Sequence, residues 1–138
     1  MGDRLTIGGV ARLTGISRDT IRYYERLGLL ARPGRTAAGY RQYPATIVNR
    51  LALVRNAQRF GFSLREIASF LRVRDSGGRP CRDVRAAARR RLDAVEQQIV
   101  ELVAMRDRMV DTLQTWDQTL ARTPVDRPAR LLEALHDR

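Results

Sequence analysis

From Ala88 to Leu120 one stripe of apolar residues constrains everything else. It runs Ala88, Leu92, Val95, Ile99, Leu102, Met105, Met109, Leu113, Trp116 and Leu120. The steps alternate between three and four residues, with one irregularity near Met105. That spacing is the seam of a coiled coil about forty residues long. At a rise of about 1.5 Å per residue, such a helix is about 60 Å long. The short segment before it is too small to cover a stripe of that length. The seam therefore asks for a partner helix, most simply from a second copy of the chain.

The charge divides the chain at the same place. The sequence has 138 residues and a formal net charge of +11. Residues 1–80 hold 15 Arg against 5 acidic residues, and residues 81–138 hold 11 Arg against 10. A basic head followed by a balanced appendage points to a polyanion for the head and self-association for the rest. An apolar content of 43% argues against disorder. No run reaches the roughly 18 apolar residues of a membrane span, so no membrane partner is expected. "MGDRLTIGG" lacks the apolar core of a secretory signal. One cysteine excludes an intramolecular disulfide. Cytoplasmic residence is the expectation.

Within the head, "TIGGVARLTG" places Ile7, Val10, Ala11 and Leu13 at helical spacing and ends at Gly15. Ser17 is a good N-cap for "RDTIRYYERLG", whose Ile21, Tyr24 and Leu27 share a face and which stops at Gly28. Two short helices joined by "GIS" form a helix-turn-helix pattern, and the second is the one that enters a major groove. "LLARPGRTAAGYRQYP" is punctuated by Pro33, Gly34 and Gly39 and reads as a hairpin or wing. "ATIVNRLALVRNAQRFG" repeats Ile47, Leu51, Val54 and Ala57 and ends at Gly61. "SLREIASFLRV" opens with a Ser63–Glu66 capping box and has Leu64, Ile67, Ala68 and Leu71 as its apolar face. The pattern lapses over "RDSGGRP", with the linker at 76–80, and Pro80 suits the start of the long helix. The tail "TPVDRPARLLEALHDR" reads as a Pro-broken loop and a short amphipathic helix through Leu131, Leu132 and Leu135.

Several local motifs occur in this order: "TIGGVARLTGISRDTIRYYERLGLL" (6–30), "RPGRTAAGYRQY" (32–43) and "RNAQRFGFSLREI" (55–67). Their combination resembles the MerR family of transcription regulators and covers nearly the whole chain. The fold class implied is mainly α. A winged helix-turn-helix DNA-binding head (1–75) and a linker (76–80) precede a long antiparallel coiled-coil dimerisation helix (81–120). A C-terminal loop and short helix (121–138) form the effector region. The resemblance further implies a homodimer on a pseudo-palindromic operator in double-stranded DNA. Such a dimer bends and undertwists an overlong promoter spacer so that RNA polymerase can engage it.

The residues fit that chemistry. Ser17, Arg18 and Thr20 stand at the start of the recognition helix, where base edges are within reach. Arg22 and Tyr23, one turn on, can grip phosphates beside the groove. Tyr40 and Arg41 are similar to wing residues that hold backbone phosphates in the family, and Arg59 matches a basic position of the family's second wing. Tyr24 and Tyr43 read as packing residues, and Arg55 and Arg65 as solvated charges.

The tail resembles the heavy-metal branch of the family, with Cys81 where those regulators carry a cysteine. The branch has further cysteines in a loop after the long helix. Here Trp116 and Asp117 fall near the first of those positions and Asp126 near the last. A soft metal ion wants two or three thiolates, and each chain supplies one. Zinc is the metal that fits a mixed set of Cys81 with Asp117, Asp126 or His136 of the partner subunit. No cofactor is required for the fold. The competing readings are a thiol sensor for oxidants or electrophiles, since a helix N-terminus favours a thiolate, a small organic ligand, and a vestigial Cys81 with Trp116 filling the old metal loop. The alternative function is then an effector-independent or thiol-responsive DNA-binding dimer. No nucleophile–base pattern or phosphate loop supports an enzyme, and no exposed aromatic stacking motif supports an RNA binder.

Overall fold

Side-chain caps start the first two helices. In the computed structural model, which describes residues 4–135, the Thr6 hydroxyl accepts the Gly9 N–H at 3.0 Å and opens α1 (Ile7–Thr14). Gly15, at φ 72°, closes it by donating its N–H to the Ala11 carbonyl. Ser17 Oγ accepts the Thr20 N–H at 3.1 Å and opens α2 (Arg18–Arg26). Val10, Ile16, Ile21 and Tyr24 turn inward and are buried, so the two helices share one core.

Three short strands follow from pairing rather than from propensity. β1 (Arg4–Leu5) and β2 (Gly34–Arg35) flank β3 (Arg41–Pro44), both antiparallel, in the order β1-β3-β2. The register sets Leu5 opposite Tyr43 and Arg35 opposite Arg41. β2 and β3 are the expected wing; β1 was not expected. α3 (Ile47–Phe60) and α4 (Leu64–Asp75) complete the head. Gly61, at φ 119°, ends α3, and the Ser63–Glu66 capping box starts α4 with both of its hydrogen bonds formed. Leu51, Val54, Ile67 and Leu71 close the core from these helices.

Polar contacts centred on Glu25 and on Arg50 join these pieces. Tyr43 on β3 is fully buried, and its hydroxyl donates a hydrogen bond to Glu25 near the end of α2. Glu25 also faces Arg41, 3.8 Å from its Nε. Burial, and then the bond to Glu25, push the Tyr43 phenol well above its ordinary range. Arg50 of α3 donates Nε to the Leu29 carbonyl at 2.9 Å and forks its two terminal nitrogens onto Asp75 at 2.9 and 2.7 Å. One guanidinium thus ties the turn after α2 to the last residue of α4. It holds the Asp75 carboxyl below its ordinary range, chiefly through these hydrogen bonds.

The chain divides into two compact units, Met1–Leu92 and Asp93–Arg138. α5 (Cys81–Arg122) begins directly after Pro80 and runs for 42 residues. In the first unit its Ala87 is buried, while Ala88 on the expected seam is only half-buried. In the second unit Ile99, Leu102, Met105, Met109, Leu113 and Leu120 of the seam are all exposed. The tail departs from expectation. In place of an amphipathic helix there is one 3-10 turn, Leu132–Ala134, with Leu132 and Leu135 exposed. Pro128 lies just ahead, and Arg130 takes a left-handed φ of 53°, so no helix runs through this stretch into Leu131. No helix among the described residues is long and apolar enough to cross a membrane.

Tyr43→Phe leaves the Glu25 carboxylate without its hydroxyl donor, at a cost of about 1–3 kcal/mol. Thermal or urea unfolding measures this, and an unchanged midpoint would show that the contact carries no load. Asp75 gives a second test. Its folded pKa is lowered, so its contribution is complete above the ordinary carboxyl value of about 4 and is lost as pH falls through the folded value. Asp75→Asn should flatten the acid limb of a stability–pH curve and cost about 1 kcal/mol or less at neutral pH, because the carboxylate is largely exposed.

Candidate nucleic-acid interface

The first two turns of α2 carry the expected groove residues. Arg18 is exposed at the first helical position. Ser17 and Thr20 are bound to each other: beyond the backbone cap, Ser17 Oγ donates to Thr20 Oγ1 at 2.8 Å. Their hydroxyls therefore shape the helix start before they meet any ligand. Arg22, itself half-buried, pairs with the exposed Asp19 one turn back, 3.2 Å apart. A surface pair of this kind is weak and easily exchanged for a phosphate. Tyr23 is 44% exposed, and the Arg26 guanidinium lies 5.7 Å from its ring centroid. The ring is thus held by a cation on the same helix. Tyr24, by contrast, is buried and donates its hydroxyl to Gln58 at 3.0 Å, in keeping with a packing role.

The wing presents its residues through a tight turn. Gly39 has φ 87°, where a side chain would be strained. Thr36 closes the loop: its N–H donates to the Tyr40 carbonyl at 2.8 Å, and its hydroxyl accepts the Tyr40 N–H at 3.1 Å. Arg35 braces it further by donating to the Gly39 carbonyl at 3.0 Å. Tyr40 is left 73% exposed at the tip. Arg41 begins β3 and shares Glu25 with Tyr43. Arg59 is exposed in the last turn of α3, with Nη1 3.4 Å from Asn56 Oδ1.

Sequence reasoning missed three of these supports. Arg26 was not singled out as the partner of Tyr23, nor Arg35 as the brace of the wing. Glu25 was not recognised as the link between α2 and the wing, although an acid in so basic a head was a signal. The electrostatic result is an arginine-rich surface in which Arg22 meets the exposed Asp19 and Arg41 the largely buried Glu25.

The described residues named for a metal are all exposed and fall in both compact units. Cys81 is exposed at the first position of α5, Asp117 is exposed near the other end of that helix, and Asp126 is exposed in the loop beyond. His136 lies outside the described residues. Among the described residues no group of three or more His, Cys, Asp or Glu could hold a metal ion. Taken singly, the chain does not offer the donor set a soft ion needs.

Comparison with known proteins places this geometry. Residues 5–73 match the family described as MerR HTH family regulatory protein, and residues 48–112 match MerR, DNA binding. The mercuric resistance operon regulatory protein of Bacillus cereus is 36% identical over 108 residues, covering 78% of this chain and 82% of that protein. The transcription regulator of Ralstonia metallidurans solved in complex with lead(II) aligns at a TM-score of 0.72 and 27% identity, over 80% of this chain and 86% of that one. A MerR family regulator lacking the sensor domain, solved bound to promoter DNA, aligns at a TM-score of 0.55 and 26% identity, over 87% of this chain and 95% of that one. With capped helix-turn-helix, wing and long helix in the family's order, this chain belongs to the MerR family of DNA-binding transcription regulators.

Proposed function

We propose that the protein is a cytoplasmic homodimer that binds a pseudo-palindromic operator and distorts promoter DNA for RNA polymerase in response to an effector. The observation that carries this reading is the joint exposure of α2 and the wing tip on one braced head. Arg18 and Thr20 read base edges in the major groove. Arg22, Tyr23, Tyr40, Arg41 and Arg59 hold phosphates and fix the register. The exposed seam of α5 supports pairing with a second copy, because an apolar stripe of that length is not stable in water alone. The activity is regulatory rather than enzymatic.

The effector divides into two readings. The relatives named for mercuric resistance and solved with lead(II) favour a metal ion, with Cys81 as its one thiolate and Asp117 and Asp126 of the partner subunit as further donors. The exposed, solitary Cys81 favours a dimer whose thiol answers an oxidant or electrophile, or whose DNA binding is independent of any effector.

Arg22→Ala should weaken binding to all duplexes alike and reduce the slope of log K against log salt by about one. Arg18→Ala should also change base preference, and unaltered binding in both variants would refute the groove assignment. Native mass spectrometry of the reduced protein with Zn, Cd, Pb, Hg or Cu(I) separates the effector readings. A dimer that holds metal stoichiometrically and loses it in Cys81→Ser supports the metal reading. A bare dimer rejects it, and a monomer rejects the coiled-coil argument.

A further inference from the structure

The geometry points to Gly8 as a positioning residue for Arg18, and through Arg18 as a determinant of DNA sequence preference. The inference rests on the proposed base-reading role of Arg18.

Gly8 is the second residue of α1, with the backbone of an ordinary helix and not the left-handed path that demands glycine. Glycine is a poor helix former, and alanine would serve the helix better there. What the missing side chain provides is room. A Cβ on Gly8 would lie 2.8 Å from Arg18 Nη2, 3.4 Å from Cζ and 3.6 Å from Nε. These three nearest atoms all belong to one guanidinium. It lies against the first turn of α1, with Nη2 nearest Gly8, across the helix-turn-helix from its own backbone.

Arg18 makes no hydrogen bond or ion pair among the described residues, unlike Arg22, which is paired with Asp19. Among the described residues, what locates its guanidinium is the packing against Gly8. A long side chain held against a backbone surface loses less freedom on binding than one waving in solvent, so the shelf aims Arg18 and lowers the cost of a bidentate base contact. A methyl group at Gly8 would push the guanidinium off the shelf. The displaced atoms are the far end of a flexible side chain, so the fold would yield easily and only the aim of Arg18 would change.

Selection from a pool of randomised duplexes tests this with the full chain and four proteins: wild type, Gly8→Ala, Arg18→Ala and the double variant. Thermal melting of each accompanies the selection. Arg18→Ala should reduce the preference at one base position per half-site by about 5- to 100-fold. Gly8→Ala should reduce it at the same position by a smaller factor, about 3- to 10-fold, with a melting temperature equal to or above wild type. Added to Arg18→Ala, Gly8→Ala should change nothing further. A wild-type profile for Gly8→Ala beside an altered profile for Arg18→Ala would overturn the inference and leave base reading by Arg18 intact. An unaltered profile for Arg18→Ala would overturn the base-reading role itself. A lowered melting temperature for Gly8→Ala, or an effect that persists in the double variant, would show Gly8 acting through helix packing and also overturn the inference.

Discussion

A buried phenol bonded to a carboxylate sets the spacing of the two DNA-facing elements. Tyr43 comes from the wing and Glu25 from the recognition helix. The wing sheet is built from strands of two, four and two residues, too small to be stable by itself. It holds its place because Tyr43 is sunk into the helical core and its hydroxyl ends on α2. Arg41 leans on the same carboxylate, so one acid meets both a core residue and an arginine of the wing. Phosphate contacts fix a protein's register on a duplex only when they are held at constant spacing. The strut supplies that constancy within the head.

The helices were legible because their signals are local. Gly15, Ser17, Gly61 and the Ser63–Glu66 box each act within four residues of themselves, and each ends or starts a helix as expected. The contacts that organise the site act at longer range. Tyr43 meets Glu25 eighteen residues away, and Arg50 meets Asp75 twenty-five away. No periodicity encodes such pairs. β1 was missed for the same reason, since its two residues become a strand only by pairing with Tyr43 and Pro44. The tail shows the opposite failure. Leucine spacing suggested a helix, but Pro128 and the left-handed Arg130 deny the backbone the turns it needs. For the candidate site, the helix and wing that carry its residues were readable, whereas the pairing of Ser17 with Thr20 and the packing of Arg18 on Gly8 were not.

The two halves of the chain solve different problems. The head is a closed core with an arginine-rich surface, as a phosphate-binding module requires. The remainder of α5 is an open apolar seam that is complete only with a partner. Cys81, Asp117 and Asp126 are each exposed, Cys81 in the first compact unit and the two aspartates in the second.

Interference footprinting on a selected duplex, with guanine N7 methylation and phosphate ethylation read in parallel, tests whether α2 enters the major groove while the wing holds the flanking backbone. Two symmetric sets of N7 positions are expected, one per half-site, each flanked by ethylation-sensitive phosphates that Arg41→Ala and Tyr40→Ala remove. Interference by phosphate ethylation alone, spread evenly and without N7 positions, would contradict that placement.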